Sequence, residues 1–248
     1  MRRPILFAMA ALAVCLVVAG VGFPAPLPKG GTGVWRDEFD AKLTLDWKVV
    51  RPDPTHVSLK KVPGCLVITT QRGTIHGKEK EDAFSEGTQA KNIHLIGIPV
   101  IKETDWVATT CVRDFLPDTI YQQAGMIVYD DDDNYLKWGY EYDGGKPAGQ
   151  QFVLVAETDG NPVHDRPEKT ASGLKKYWLR ITRRGDKYEY AWSKDGNDWV
   201  VGGERQWGTG VPKRVGLIAK NGGNKDAPEV DAAYEFFELR AVPSAGKK

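Results

Sequence analysis

QAGMIVYDDDDNYLKWGYEYD, residues 123–143, consists of two apolar runs joined by an acidic turn. In the second run the even positions are apolar or aromatic, whereas the odd positions include Lys137, Glu141 and Asp143. Successive side chains of a β-strand point to opposite faces of a sheet. The pattern therefore predicts a strand that packs Leu136 and Trp138 into a core and turns its charged side chains toward water.

Short segments rich in β-branched and aromatic residues recur along the chain. They lie at 65–70, 106–112, 125–129, 135–142, 152–156, 178–182, 188–193, 215–219 and 233–239. The pairs Gly185-Asp186 and Asp195-Gly196 supply the positive φ angles that tight hairpins need. We find no convincing amphipathic helix between them. The sequence therefore predicts an all-β fold, an antiparallel jelly-roll β-sandwich.

The first 25 residues have the order of a secretory signal, with a basic start, an apolar run over 5–21 and small residues up to Ala25. The apolar run is short for a spanning helix, which needs about 20 residues. A lipoprotein fits less well, because Val14 stands before Cys15 where a small residue is usual. We predict a signal peptide at 1–25, a Pro/Gly linker at 26–33, one sandwich domain at 34–241 and a tail at 242–248. The protein is expected to be secreted, periplasmic or on the cell surface.

Charge and cysteine content narrow the classes of partner. Cleavage of the signal removes Arg2 and Arg3 and no acidic residue, so the net charge falls from +1 to −1. A near-neutral chain has no electrostatic footprint for nucleic acid or for a membrane surface beyond the signal segment. Cys65 and Cys111 are then the only thiols, and they either form one disulfide or stay buried and unpaired.

The sequence contains no Gly-x-Ser-x-Gly and no His-Glu-x-x-His motif, and its four histidines are scattered without metal-ligand spacing. Asp130, Asp132, Asn134 and Glu141 occupy positions 1, 3, 5 and 12 of an EF-hand-like loop. However, Tyr135 stands where that loop needs glycine, and an acidic hairpin tip explains the run without metal. We expect no cofactor, with a structural calcium ion as the alternative.

Several segments occur in an order shared with a known group of sandwich domains. They are WRDEFD at 35–40, QAGM at 123–126, NYLKWGYEY at 134–142, WLRI at 178–181 and SKDG at 193–196. In this order they resemble the concanavalin A-like lectin and glucanase superfamily. Within it they resemble a bacterial domain family of unknown function named "regulation of enolase, concanavalin A-like", related to the C-terminal domain of β-xylosidases. The resemblance extends from Trp35 to about Leu239 and implies a jelly roll without known catalytic residues.

The resemblance also bears on catalysis and on calcium. Related glucanases place Glu-x-Asp-x-Glu on one strand, whereas here Glu141 and Asp143 are followed by Gly145. One member of the acid and nucleophile pair of retaining hydrolysis is therefore missing. Related sandwiches often hold a structural calcium near both chain ends. The matching positions here are Asp37, Glu38, Asp40 and Glu235, the last being Asp in those relatives.

These observations favour a secreted, non-catalytic module that binds carbohydrate. Sugars present CH faces that stack on aromatic rings and hydroxyls that need fixed polar partners. The expected ligand-binding residues, all placed on one water-facing sheet, are Gln123, Lys137, Glu141, Asp143 and Arg180. The alternatives are a scaffold that binds a protein of the cell envelope and, less favoured, a cryptic glycoside hydrolase. The sequence does not indicate which glycan is bound.

Overall fold

The computed structural model describes residues 33–75, 88–97, 105–145, 148–208 and 212–242, which belong to one compact unit, Thr32–Lys248. The predicted signal peptide at 1–25 lies outside the described residues. So do the linker at 26–33 except Gly33 and the tail at 242–248 except Val242. Within the described ranges, no helix is long and apolar enough to cross a membrane.

Strands make up most of the described chain, with one short 3-10 helix at Pro54–His56. In chain order the strands are β1 (Val34–Asp37), β2 (Lys48–Val50), β3 (Val57–Ser58), β4 (Leu66–Thr69), β5 (Ile93–Gly97), β6 (Asp105–Arg113), β7 (Gln123–Asp131), β8 (Asn134–Asp143), β9 (Gly149–Thr158), β10 (Asn161–Asp165), β11 (Lys176–Arg184), β12 (Lys187–Ser193), β13 (Trp199–Gln206), β14 (Arg214–Lys220) and β15 (Asp231–Val242). All nine segments predicted as strands are strands.

The strands form two antiparallel sheets. The eight-stranded sheet has the order β13-β12-β11-β6-β15-β4-β3, with β1 also paired to β15. The seven-stranded sheet has the order β10-β9-β8-β7-β14-β5-β2. This arrangement confirms the predicted all-β, antiparallel jelly-roll sandwich.

Trp138 of β8 shows how the two sheets pack together. Its ring centroid lies 4.9 Å from that of Tyr190 on β12 and 5.7 Å from that of Phe152 on β9. Its indole Nε1 donates a hydrogen bond of 2.9 Å to the carbonyl oxygen of Ala191, so the polar atom of this buried ring is satisfied. The even positions of β8 therefore face the core between the sheets, as the alternation predicts.

The opposite face of the seven-stranded sheet differs from the expectation. The odd positions of β8 do point away from the core, but Lys137 and Glu141 are only 6% and 5% exposed. A second apolar cluster, which includes Ile127, Val153 and Ile218, lies on this face. The prediction of a water-facing sheet with few apolar side chains is therefore wrong. Alternation within one strand shows which face a side chain is on, but not what neighbouring strands place beside it.

The cysteines are free thiols, and both are buried. Cys65 lies just before β4 and Cys111 lies on β6, and β15 separates these two strands in the sheet. Two strand spacings of about 4.8 Å exceed the Cα separation of about 7 Å that a disulfide bridges. Of the two alternatives that the sequence leaves open, the structure has the unpaired thiols.

Gly125 on β7 lies directly opposite Gly139 on β8. A Cβ atom added to Gly125 would stand 2.3 Å from the carbonyl oxygen of Trp138 and 2.5 Å from the Cα of Gly139. The obstacle is backbone and cannot rotate aside. The close approach of β7 and β8 therefore requires glycine at this position.

We expect Gly125→Ala to lower the free energy of unfolding by about 3 kcal/mol, because the added methyl group must push two hydrogen-bonded strands apart. Gly97→Ala is the matched control, since no atom lies within 4 Å of a Cβ placed there. Urea denaturation of both variants measures the difference. Equal stability of the two variants would contradict the close approach.

Candidate functional site

The outer face of the seven-stranded sheet, turned away from the core, carries one row of polar side chains. Cross-strand pairing places Gln151 of β9 beside Glu141 of β8, Glu141 beside Gln123 of β7, and Gln123 beside Lys220 of β14. We call these four residues the polar row. All four are at most 6% exposed.

The next row on this face has almost no side-chain bulk at its centre. Gly139 and Gly125 occupy its two middle positions, and Val153 and Ile218 stand at its two sides. We call these four residues the glycine row. Lys137 lies on the other side of the glycine row from the polar row, two positions before Gly139 along β8. The two glycines therefore leave a gap in the side chains of this face between the polar row and Lys137, and we call this gap the depression.

Hydrogen bonds fix part of the polar row. The side-chain amide of Gln123 donates to Glu141 Oε2 at 3.0 Å and, more weakly, to the carbonyl oxygen of Tyr121 at 3.4 Å. In contrast, neither Lys137 nor Lys220 has a hydrogen bond or an ion pair within 4.0 Å to any residue that the structure describes. Among the described residues, neither buried ammonium group therefore has a hydrogen-bond acceptor, and that of Lys137 lies 5.8 Å from the centre of the Tyr135 ring.

Burial dominates the electrostatics of these charged groups. It lowers the pKa of Lys220 to about 7, and the positive charge of Lys137 acts in the same direction. Burial likewise lowers the pKa of Lys137, against the opposing charges of Glu141 and Glu157. Burial raises the pKa of Glu141, although the two lysines counteract it. Lys137, Lys220 and Glu141 are thus buried at positions where their ionised forms are poorly solvated.

Asp143 ends the same face of β8 and is fully engaged. Its Oδ1 accepts from the backbone N–H of Gly145 at 3.0 Å and from Arg166 Nη2 at 3.1 Å. Its Oδ2 accepts from Gln151 Nε2 at 2.8 Å and from Arg166 Nε. Burial raises the pKa of Asp143, but these donors outweigh burial and the pKa is lowered overall. A carboxylate with four donors holds no free lone pair for attack on a substrate.

Tyr121 stands at the end of this face, in the loop before β7. It is 39% exposed and has a φ of 68°, a left-handed conformation that is costly for a bulky residue. Its backbone N–H donates to the carbonyl oxygen of Tyr142 at 2.9 Å. Its phenol lies close enough to Arg166 to influence the pKa of that guanidinium. The strained backbone thus presents an aromatic ring beside Asp143 and the polar row.

The structure brings four of the five predicted ligand-binding residues together. Gln123, Lys137, Glu141 and Asp143 share the outer face of the seven-stranded sheet. Arg180 does not, because it lies on β11 in the eight-stranded sheet. The prediction that Arg180 shares a face with the other four residues is therefore wrong.

Arg180 has local partners in that other sheet. Its guanidinium lies 4.4 Å from the centre of the Trp199 ring and 3.6 Å from Glu189. The outward direction of Arg180 was predicted correctly, but each sheet of a sandwich has its own outer face. Alternation in a single strand shows that a residue points outward, but it does not show on which of the two outer faces that residue lies.

Sequence reasoning missed several residues of this face, namely Gln151, Lys220, Arg166 and Tyr121. Lys220 had a signal, because Val215, Leu217 and Ala219 alternate as core residues and place Lys220 on the opposite face. Joining it to Glu141 also requires knowing that β14 pairs with β7. No pattern in the sequence indicated Arg166 or Tyr121.

The first candidate calcium loop does not assemble. Asp131 lies opposite Asn134 at the β7–β8 turn, whereas Glu141 lies opposite Gln123. Asn134 and Glu141 are seven positions apart along β8, a length of about 23 Å. Asp132 instead accepts two hydrogen bonds from Arg51, at 2.8 and 3.0 Å. The acidic run therefore anchors the hairpin tip.

The second candidate calcium site is also engaged within the chain. Asp37 accepts hydrogen bonds from the backbone of Thr44 at 2.7 Å and from Trp47 Nε1 at 2.9 Å. Glu38 pairs with Arg36, and Glu235 with Lys176 at 2.7 Å. In the part of the chain that the structure describes, no group of three or more His, Cys, Asp or Glu side chains could hold a metal ion.

Comparison with known proteins gives one family match. The sequence profile of the family described as "Beta xylosidase C-terminal Concanavalin A-like domain" matches residues 36–238. No match is found among curated proteins.

Solved structures show the same fold, in two cases as part of a larger protein. The GH43 protein BlXynB from Bacillus licheniformis is 23% identical, with a TM-score of 0.67, over 84% of this chain and 39% of its own. A xylan β-1,4-xylosidase from Bacillus halodurans is 15% identical, with a TM-score of 0.63, over 88% of this chain and 40% of its own. A β-glucanase from Bacillus licheniformis is 10% identical, with a TM-score of 0.54, over 84% of this chain and 98% of its own. This chain thus spans about two fifths of the length of the GH43 proteins.

We expect Arg166→Met to lower the free energy of unfolding at pH 7 by about 2 kcal/mol, because it leaves the Asp143 carboxylate buried without its cationic partner. The value lies below that of a fully buried pair, since the Arg166 side chain is 40% exposed. Without Arg166, burial raises the pKa of Asp143, so the loss should shrink as the pH falls and Asp143 takes up a proton.

Urea denaturation at pH 7 and pH 4.5 measures this loss. The double variant Arg166→Met/Asp143→Asn should recover most of it, because no buried charge remains. A single variant as destabilised at pH 4.5 as at pH 7, or a double variant that recovers nothing, would contradict this assignment.

Proposed function

The chain belongs to the family of β-xylosidase C-terminal concanavalin A-like domains, and from this premise we propose that it is a non-catalytic module that binds a glycan. The proposed site is the outer face of the seven-stranded sheet, over the polar row and the glycine row. The observation that carries the proposal is this pairing of fixed polar side chains with a floor that lacks side chains.

The chemistry of the face suits a sugar. A ring placed over Gly139 and Gly125 would have Val153 and Ile218 at its sides, which suit its CH groups. Its hydroxyls would meet the amides and charged groups of the polar row. Tyr121 adds an exposed aromatic ring at the end of the face, of the kind on which sugar rings stack. The xylan β-1,4-xylosidase with this fold is, by its name, a protein that acts on a polysaccharide.

The state of the carboxylates supports binding rather than hydrolysis. Retaining and inverting glycosidases need two carboxyl groups free to act on the glycosidic bond. Asp143 is held by four hydrogen bonds, and Glu141 accepts one from Gln123 while two buried lysines stand near it. Asp143, the second carboxylate on this face of β8, is therefore not free to act together with Glu141 on a glycosidic bond.

The proposal includes export of the protein. Its support is the charged, apolar and small-residue order of residues 1–25. An exported module of this kind would meet polysaccharides outside the cytoplasm. A scaffold that binds an envelope protein is the alternative, and the binding experiment separates the two.

We expect the full chain to bind at least one polysaccharide in a panel of plant, algal and microbial polymers, and Gln123→Ala to weaken that binding at least tenfold, or about 1.4 kcal/mol, because an amide of the polar row is lost. Tyr121→Ala should also weaken it, because a stacked ring is lost. Arg180→Gln and Val201→Ala, both on the eight-stranded sheet, are matched controls and should leave binding unchanged. Affinity electrophoresis followed by calorimetry measures these effects.

Two results would overturn this proposal. One is the absence of binding to every polymer in the panel. The other is weakening by Arg180→Gln as large as that by Gln123→Ala, which would move the site to the eight-stranded sheet. Hydrolysis of a bound polymer that Glu141→Gln abolishes would instead establish the glycosidase alternative.

A further inference from the structure

Two lysines lie at opposite corners of the depression on the outer face. Lys137 is on β8 one row beyond the glycine row, and Lys220 is on β14 in the polar row. Gly125 of β7 lies between them on the diagonal. Because glycine has no side chain, nothing attached to β7 at this point separates the two ammonium groups, and their charges influence each other.

Near Lys220, one carboxylate stands against two ammonium groups among the described residues. Among the described residues, the charged groups that influence Lys220 are Lys137 and Glu141. Glu141 is therefore shared by two lysines, and it also accepts a hydrogen bond from Gln123. Asp143 offers no compensation, since Arg166 neutralises it.

The second carboxylate near Lys137 is also engaged elsewhere. Glu157, on the far side of Lys137, accepts a hydrogen bond of 2.6 Å from the phenol of Tyr135. His164 of β10 also faces Lys137, and burial together with that positive charge lowers the pKa of the imidazole. His164 therefore adds no negative charge. Glu157 lies opposite Tyr135, beyond Lys137 and away from Gly125, so among the described residues Glu141 is the carboxylate that stands beside the diagonal between the two lysines.

Buried ammonium groups without partners are unfavourable unless an anion accompanies them. Lys137 and Lys220 are 6% and 5% exposed, and neither has a hydrogen bond or an ion pair to the described residues. Both could donate to one negatively charged group placed above Gly125. A neutral sugar would leave this charge uncompensated.

We propose that the ligand is an acidic glycan, whose anionic substituent binds between Lys137 and Lys220 above Gly125. The inference rests on the proposed glycan site and specifies the class of sugar that it recognises. The substituent is the carboxylate of a uronic acid or a sulfate ester, which share the negative charge and the acceptor oxygens that two ammonium groups require.

The test compares two charged polymers with an uncharged one. The wild-type chain is titrated at pH 6 with polygalacturonate, with the same polymer after reduction of its carboxyl groups, and with a sulfated galactan. At least one of the two charged polymers should bind at least tenfold tighter than the reduced polymer. The charged polymer that binds more tightly identifies the source of the anion.

Substitutions assign the effect to the lysines. Lys220→Met and Lys137→Met should each remove most of the preference for the charged polymer, while binding to the reduced polymer persists. Lys187→Met is the control for net charge, since this lysine lies on β12 in the other sheet. Thermal unfolding of each variant shows that the fold is retained, as expected when a buried lysine becomes an apolar side chain of similar length.

The pH dependence gives an independent readout. The pKa of Lys220 is about 7, so its ammonium form is lost as the pH rises from 6 to 8. Affinity for the charged polymer should fall about tenfold over this range, because the competent fraction falls by that factor. Lys220→Arg keeps its charge and should abolish the fall.

The outcomes separate this inference from the proposed function. Equal affinity for the charged and reduced polymers would overturn the acidic ligand and leave a neutral glycan site. Binding to none of these polymers, nor to neutral xylan or arabinan, would overturn both. A preference for charge that survives Lys137→Met and Lys220→Met would place the anion elsewhere and overturn the site.

Discussion

The antiparallel pairing of β7 with β8 is the contact on which the rest of the structure depends. It places Gly125 opposite Gly139 and Gln123 opposite Glu141, so one register sets both the floor of the depression and its polar edge. The same two strands send Met126 and Trp138 into the core between the sheets. A shift of the register by one residue would exchange the two faces and bury the charged side chains in the core. The core thus fixes the register, and the register fixes the site.

The outer face combines burial with charge, and this combination has a physical cost. Removing an ammonium or a carboxylate from water is favourable only when other charges or donors compensate for the lost hydration. Asp143 is compensated by Arg166, Gln151 and a backbone N–H. Lys137 and Lys220, in contrast, are compensated only in part by Glu141. This difference distinguishes the structural ion pair of Asp143 and Arg166 from the two lysines, which we propose bind a ligand. The apolar cluster around them lowers the local dielectric and strengthens any charge–charge contact that a ligand makes there.

The sequence allowed prediction of the strands, the sandwich class and the two faces of β8. The alternation of Leu136, Trp138 and Tyr140 with Lys137 and Glu141 was sufficient, because side-chain direction along a strand is a local property. The sequence did not reveal that the charged side chains of the outer face are buried among apolar ones or that Arg180 lies on the other sheet. Both depend on strand order, which pairs β14 with β7 through residues about ninety positions apart. Arg166 and Tyr121 lie in connecting segments, whose placement follows no periodic pattern.

The most direct test of the central claim is mapping of a bound acidic oligosaccharide by NMR chemical shifts in the isotope-labelled full chain. The account predicts that the largest shifts occur at the side-chain amides of Gln123 and Gln151 and at the backbone amides of β7, β8 and β14 near Gly125, with Trp178 and Trp199 of the eight-stranded sheet unaffected. Largest shifts at Trp178 and Trp199, with none along the polar row, would contradict the account.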